Sequence, residues 1–236
     1  RAGIGKLILI DRDIVELSNL QRQSIFDERD IGRPKAAQAS KHLKEINSNT
    51  KIDFFIEDLD FRNIEKVLSS KIDLILDCTD NLETRFLIND FSVKYKIPFI
   101  YSSAVASKGY IFNVIPAKTP CLRCFLKEPT QLDTCETAGI LNTITNLIGA
   151  LQANESIKIL LNKAYENNLL FFDVWKNEFL KIKVNKNKNC FCCVEKYFPY
   201  LNGKISIKVA KLCGENIYQI KTKNLDEDNF KNLKNK

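Results

Sequence analysis

Two pairs of cysteines restrict the fold of this chain more than any other feature of its sequence. Cys121 and Cys124 form one C-x-x-C pair, and Cys190 and Cys193 form a second pair much further along. This spacing lets one tight turn direct two thiolates at the same tetrahedral ion, each about 2.3 Å from the metal. Cys192 could replace one of these ligands, but the spacing favours Cys190 with Cys193. The sequence therefore predicts a zinc site that is structural, because four thiolates leave no open coordination position.

The length and composition predict a globular chain with a real core. The chain has 236 residues, of which 44% are hydrophobic, enough for one large domain or one domain with an appendage. No apolar stretch reaches the roughly 18 to 20 residues that span a bilayer, and the N-terminus lacks the apolar core of a signal peptide. We therefore expect a soluble cytoplasmic protein that binds no membrane.

The cysteines are interpreted from the expected cytoplasmic location, and the charges from where they lie in the sequence. In the cytosol, eight cysteines are metal ligands or reactive thiols rather than disulfides. The formal net charge of +7 comes mostly from scattered lysines, densest at residues 181–188, which indicates a solvated basic surface rather than a nucleic-acid site.

Strand and helix patterns alternate along the first part of the chain and then change character. Strands are predicted at 6–11, 52–56, 72–77 and 98–101, and helices at 34–46, 61–68 and 81–95. Later segments predict two strands within 103–115 around Lys108-Gly109, a loop at 132–140, a helix at 141–161, a hairpin from 171–175 and 179–184, and two short strands within 205–220.

The alternation predicts a doubly wound, Rossmann-like α/β fold with a mostly parallel sheet and a zinc-stapled C-terminal part that contains β-structure. Such sheets bind ligands beyond the carboxyl ends of their strands. We predict one domain over residues 1–196 and a short C-terminal extension over residues 197–236.

Polar segments follow the apolar elements at 11–22, 33–35 and 77–85. Together they offer acids for ribose hydroxyls and Mg²⁺, while Arg22 and Lys35 can neutralise charge that grows on phosphates. Each has a simpler explanation, since Asp80 and Asn81 could cap the next helix. His42, on a helix face that we expect to be exposed, offers no general base.

Seven segments resemble, in order, motifs of the ThiF/MoeB/HesA family, kin to the ubiquitin-activating enzymes. They are Asp11-Arg-Asp13, Ser18-Asn-Leu-Gln-Arg-Gln23, Gly32-Arg-Pro-Lys35, Asp77-Cys-Thr-Asp-Asn81, Cys121-Leu-Arg-Cys124, Thr134-Cys-Glu-Thr-Ala-Gly139 and Leu147-Ile-Gly-Ala-Leu-Gln-Ala153. The resemblance runs from Arg1 to Cys193. It implies ATP-dependent adenylylation of the C-terminal carboxylate of a ubiquitin-like sulfur carrier that ends in Gly-Gly, with release of pyrophosphate.

The resemblance also implies a role for each site residue. Asp11 would hold the ribose, Asn19, Arg22 and Lys35 the phosphates, and Asp80 the Mg²⁺ ion, with Asn81 beside the nucleotide. The implied nucleotide-binding set is Asp11, Ser18, Asn19, Leu20, Gln21, Arg22, Lys35, Asp80 and Asn81, of which Arg22, Lys35 and Asp80 are the predicted catalytic residues. The implied cofactors are ATP, Mg²⁺ and the structural Zn²⁺.

Cys135 lies where some family members carry a thiol that takes the activated carrier as a thioester or an acyl disulfide, while others use only the adenylate. Both alternatives stay open from the sequence. The resemblance further implies a homodimer and a sulfur donor such as a cysteine desulfurase or a rhodanese.

The family's first strand and its glycine-rich loop would precede Arg1, and the sequence contains no methionine. In this topology that strand would be central, between the strands that end at Asp11 and Asp77, so its loss would leave two inner edges unpaired. We therefore expect an N-terminally truncated chain, with a glycine-rich loop supplied by a separate chain as the alternative.

Two other functions remain as alternatives. One is a catalytically inactive scaffold that binds a carrier or a second subunit. The other is a nicotinamide-dependent oxidoreductase, which would also hold a ribose at Asp11 but leaves residues 18–22 and the cysteine pairs unexplained.

Overall fold

The structure, a computed structural model, describes residues 2–68, 72–126 and 139–205, and the backbone of two short strands at 209–211 and 218–220. The strands are β1 Lys6–Ile10, β2 Lys51–Phe55, β3 Ile75–Leu76, β4 Phe99–Val105, β5 Lys108–Val114, β6 Leu169–Asp173, β7 Glu178–Ile182, β8 Val209–Lys211 and β9 Tyr218–Ile220. The α-helices are α1 Leu17–Leu20, α2 Lys35–Ile46, α3 Ile64–Val67, α4 Leu82–Tyr95 and α5 Asn142–Leu160, and short 3-10 helices cover Glu28–Asp30 and Leu122–Cys124.

The described strands form three separate sheets. β1 and β2 pair in parallel, β3 to β7 form a five-stranded sheet in chain order, and β8 pairs with β9. In the five-stranded sheet β3 and β4 are parallel, whereas every later pair is antiparallel. Among the described residues β1 pairs with β2 alone and β3 with β4 alone, so neither strand has a hydrogen-bonded neighbour on its other edge.

The five-stranded sheet buries both of its faces, because side chains alternate along β4 and β5. Phe99 and Tyr101 belong to a core that includes α4, whereas Ile100 belongs to a second core beneath α5. Gly109 lets α5 approach closely, since a Cβ there would lie 2.5 Å from the side chain of Ile148. Helices thus cover both faces of one sheet, and the predicted doubly wound α/β fold is confirmed. The sheets are mixed rather than mostly parallel, because two of the described strand pairs are parallel and four are antiparallel.

Two local predictions need correction. The turn between β4 and β5 lies at Ala106-Ser107 rather than at Lys108-Gly109, because Ala106 takes the positive φ of 53° that reverses the chain and Gly109 is needed within β5. The polar segment at 11–22, in which the sequence predicts no helix, contains α1, whose first turn is closed by a reciprocal capping box between Glu16 and Asn19.

Among the helices that the structure describes, none combines the length and the apolar character needed to cross a membrane.

Candidate functional site

The chain folds back on itself between β1 and α2 and so brings Lys35 beside the end of β1. The N–H of Val15 donates to the carbonyl of Arg33, and the N–H of Lys35 donates to the carbonyl of Asp13, each at 2.8 Å. Gly32 has a φ of 81°, a conformation that favours glycine. Lys35 therefore begins α2 directly next to the residues that follow β1.

Four charged residues lie near one another at the carboxyl ends of β1 and β3. The N–H of Asp13 donates to Oδ1 of Asp11 at 2.9 Å, and Oδ2 of Asp13 lies 3.4 Å from Nζ of Lys35. Burial raises the pKa of Asp11, Lys35 opposes this rise, and the charges of Asp13 and Asp80 add to it. The acids after β1 and β3 thus act on one another electrostatically. We call Asp11, Asp13, Arg22, Lys35 and residues 77–85 the nucleotide edge.

Asp77 anchors the base of the nucleotide edge rather than facing solvent. Its carboxylate is fully buried, and burial raises its pKa to about 6. Oδ1 accepts hydrogen bonds from the N–H and the hydroxyl of Thr79, and Nε of Arg85 lies 3.7 Å from Oδ2. The amide of Gln152 donates to the backbone carbonyl of Asp77 at 3.1 Å. Asp77 therefore shapes the loop that presents Asp80.

The helix-capping explanation applies to Asn81. Asn81 is the N-cap of α4, and its Oδ1 accepts a hydrogen bond from the N–H of Thr84 at 2.8 Å. Asp80 comes one residue earlier and is exposed. The structure thus places Asp80 at the surface of the nucleotide edge and Asn81 at its helical boundary.

The predicted phosphate-binding segment around α1 is only partly exposed. Asn19 is buried, and its Oδ1 accepts the N–H of Glu16 at 3.1 Å. Ser18 and Gln21 are exposed, and Leu20 is half-buried. Nη1 of Arg22 donates to the carbonyl of Ser18 at 2.8 Å, and within the described part of the chain no acid forms a salt bridge with this guanidinium. The charge of Arg22 can therefore serve an anionic ligand.

The two C-x-x-C pairs meet at one point, which we call the cysteine centre. Sγ of Cys121 lies 3.6 Å from Sγ of Cys190, and Sγ of Cys124 lies 3.6 Å from Sγ of Cys193. All four sulfurs are within 4.8 Å of one another. Burial and the neighbouring thiols raise the pKa of Cys193 to about 11, so thiolates packed this closely need a cation among them. The cysteine centre could bind zinc.

Two polar residues on α4, which the sequence did not predict as functional, hold the segments of the cysteine centre. Oδ1 of Asn89 accepts the N–H of Leu122 at 2.8 Å, and Oδ2 of Asp90 accepts the N–H of Tyr200 at 3.0 Å. Cys192 donates its thiol to Oδ1 of Asp90 and accepts from Nδ2 of Asn89, so it is engaged outside the four-sulfur cluster. Nothing in the local sequence separates these two residues from surface helix positions.

The side chain of His42, predicted to lie on an exposed helix face, is mostly buried. Only 19% of it is exposed, and its Nε2 atom lies 2.8 Å from Oδ2 of the buried Asp30. Cys135 lies outside the described residues, as does the predicted loop at 132–140 apart from Gly139 and Ile140.

A doubly wound sheet with charged groups at its strand ends and a four-cysteine centre defines a class of nucleotide-binding α/β proteins. The ThiF family model matches residues 1–193, and the chain belongs to the ThiF family.

Two relatives match most of this chain. The sulfur carrier protein ThiS adenylyltransferase of Bacillus subtilis is 39% identical over 94% of the chain and 67% of its own length. The SAMP-activating enzyme E1 of Haloferax volcanii is 32% identical over 82% of the chain and 73% of its own length.

Other relatives are longer than the chain. It covers 44% of the adenylyltransferase and sulfurtransferase MOCS3 of Xenopus laevis, with 35% identity. A crystal structure of E. coli MccB with ATP matches with a TM-score of 0.71 and 23% identity over 81% of this chain and 59% of that one, which supports the fold alone. The ThiS, SAMP and MOCS3 relatives are named adenylyltransferases or activating enzymes, so the nicotinamide alternative has no support from them.

Proposed function

We propose that the protein containing this chain transfers AMP from MgATP to the C-terminal glycine carboxylate of a small ubiquitin-like sulfur carrier and releases pyrophosphate. The observation that carries this proposal is the convergence of Asp11, Lys35 and Asp80 at the carboxyl ends of two parallel strands. Membership of a family with ThiS and SAMP activating relatives supports the choice of substrate.

The proposed reaction needs charge neutralisation more than proton transfer. The attacking carboxylate is already ionised at neutral pH, so no general base is required. Its oxygen forms a bond to the α-phosphorus while the bond to the bridging oxygen breaks, and pyrophosphate leaves with the electron pair. Arg22 and Lys35 would stabilise this charge, with Asn19 beside them, and Asp11 would bind the ribose hydroxyls.

A Mg²⁺ ion held by Asp80 would neutralise further phosphate charge. Carboxylate oxygens are ligands that Mg²⁺ prefers, and the charge of Asp80 contributes to the raised pKa of Asp11, which supports the placement of both acids at one site. Asn81 would lie beside the nucleotide at the start of α4.

The hairpin of β6 and β7 offers a surface on which the carrier could dock. Trp175 at its tip is 79% exposed and Phe179 is 50% exposed, and β7 is the last strand of its sheet with every residue exposed. Because Lys108 pairs with Asp173 and β4 runs parallel to β3, the tip lies at the same edge of the sheet as Asp77. A carrier on this surface could extend its tail toward the nucleotide.

ATP–pyrophosphate exchange in the full-length protein, with carriers that end in Gly-Gly, tests the proposal. We expect carrier-dependent exchange that falls on the order of 100-fold or more in Asp80→Ala, the usual scale for losing one electrostatic group at a reacting phosphate. Asp73→Ala is the matched control, because Asp73 is an exposed acid before β3. A folded, zinc-loaded protein that shows no exchange with any carrier would instead support the inactive scaffold.

A covalent step on Cys135 is a second part of the proposal. The thiol would lose its proton and attack the acyl adenylate, so that a carbon–sulfur bond forms, the carbon–oxygen bond to phosphate breaks and AMP leaves. Cys135→Ala should then retain exchange but lose a carrier adduct that intact-mass spectrometry detects and thiols release. The homodimer, the sulfur donor and the division into residues 1–196 and 197–236 stay predictions.

A further inference from the structure

Asp13 connects the residue that would hold the ribose to the residue that would hold the phosphates. Its N–H donates to Oδ1 of Asp11 at 2.9 Å, and its carbonyl accepts the N–H of Lys35 at 2.8 Å. Its carboxylate Oδ2 lies 3.4 Å from Nζ of Lys35. Two of these three contacts use the backbone, and only the third depends on the charge of Asp13.

Lys35 needs this charge because it is nearly buried. Its side chain is 8% exposed, while that of Asp13 is 27% exposed. A buried ammonium group without a counter-charge is unfavourable. Among the described residues, Asp13 is the carboxylate that forms a salt bridge with Lys35, while Asp11 interacts with Lys35 electrostatically without forming one. The distance of 3.4 Å is long for a charged hydrogen bond, so the ammonium group can turn toward a phosphate without first breaking a tight pair.

The other oxygen of Asp13 is held by a second cation. Nε of Arg12 lies 3.4 Å from Oδ1 of Asp13, and Nη1 of Arg12 lies 2.6 Å from Oδ1 of Asp58. Asp58 therefore fixes Arg12, and Arg12 fixes one side of the Asp13 carboxylate. The remaining oxygen faces Lys35.

We propose that Asp13 is a positioning residue that keeps the Lys35 ammonium group directed at the phosphates of the nucleotide. This inference rests on the proposed adenylylation, because it assigns Lys35 to the phosphates. Asp13 acts through Lys35.

The test compares the affinities for ATP and for adenosine, measured by calorimetry on the full-length protein. Asp13→Asn keeps both backbone contacts and removes the charge, so we expect ATP binding to weaken about 10-fold or more while adenosine binding changes less than twofold. Asp13→Glu should recover most of the ATP affinity. Asp53→Asn is the control, because this acid lies on the exposed surface of β2 and pairs with Lys6. Equal losses for ATP and adenosine, or no loss in Asp13→Asn, would overturn the inference.

A double-mutant comparison tests whether Asp13 affects ATP binding through Lys35. In a Lys35→Met background, Asp13→Asn should cause no further loss of ATP affinity, since the ammonium group is already gone. An undiminished loss in that background would show that Asp13 acts by another route. If ATP binds as expected but no carrier supports pyrophosphate exchange, the proposed function fails while the binding comparison still decides the role of Asp13.

Discussion

The cysteine centre and the nucleotide edge bury polar groups in opposite ways. Around the cysteine centre, Asn89 and Asp90 are fully buried and their side chains meet backbone N–H groups and a thiol. At the nucleotide edge, Oδ2 of Asp77 and Nε of Arg85 are buried without a hydrogen bond and face each other at 3.7 Å. The hydrogen bonds that Asn89 and Asp90 accept come from neutral donors, whereas the buried carboxylate of Asp77 faces a guanidinium.

The two regions differ in only some of the conditions to which they respond. A buried carboxylate responds to pH in both regions, since burial raises the pKa of Asp90 as well as that of Asp77 to about 6. Removal of zinc, rather than a change of pH, should therefore separate the two regions. α4 joins the two, since it begins at Asn81 and carries Asn89 and Asp90 further along.

The largest effect is expected from removing one thiolate of the cysteine centre. Cys190→Ser should lose most of its bound zinc and destabilise the fold by more than about 3 kcal/mol, because structural zinc sites contribute on the order of 10 kcal/mol to folding. Metal content by atomic emission and urea unfolding measure both quantities. Cys192→Ser is the matched control and should keep its zinc, since this thiol bonds to Asp90 instead. If Cys190→Ser keeps its zinc and a variant that also replaces Cys192 loses it, Cys192 is a zinc ligand.

A pH-dependent effect of smaller size is expected at Asp77. Burial raises its folded-state pKa from 3.8 to about 6, so the native state holds the proton more tightly than the unfolded chain. Stability contributed by this group is therefore lost as the pH rises from about 4 to about 6, by on the order of 1 to 3 kcal/mol. Urea unfolding across this range should show the slope in the parent and a reduced slope in Asp77→Asn. Asp73→Asn, at an exposed site, should keep the parent slope. An unchanged slope in Asp77→Asn would show that ionisation of Asp77 does not cause the pH dependence of stability.

His42 should give the next largest effect. Burial acts to raise the pKa of Asp30, but the N–H of Asp27 and the His42 ring lower it by more, so Asp30 supports the fold above its unfolded pKa. His42→Ala should cost about 1 to 2 kcal/mol by removing the hydrogen bond to this buried carboxylate. Gln at this position should recover part of the loss. Lys41→Ala, at an exposed neighbour on α2, is the control, and equal losses in both variants would point to helix propensity instead.

The features that sequence reasoning found are those whose chemistry is local. The C-x-x-C spacing alone brings two cysteines close enough to bind one metal ion. An apolar run followed by an acid indicates a buried strand and the end of that strand at which a ligand binds. The roles of Asn89, Asp90 and His42 depend on which backbone group or carboxylate lies opposite them after folding. No periodicity in one segment carries that information.

Asp13 shows the same limit at the nucleotide edge. The motif Asp11-Arg-Asp13 is visible in the sequence, but the contact with Lys35 requires residues 13–15 to pair with residues 33–35. The turn at Ala106 was missed for a related reason, because the need for Gly109 within β5 comes from the approach of α5.

The smallest effect is expected where charge lies on the exposed surface of the β1–β2 sheet, outside the nucleotide edge. Nζ of Lys6 lies 2.7 Å from Oδ2 of Asp53 across the β1–β2 sheet, but the two side chains are 45% and 53% exposed. Solvent screens such a pair, so Lys6→Ala should change the unfolding free energy by less than about 1 kcal/mol, and salt near 1 M should abolish the difference. A larger, salt-resistant loss would mean that β1 is held to β2 by its surface charges. In that case the nucleotide edge would differ from the cysteine centre in how much charge it carries, and burial of that charge would not be the cause.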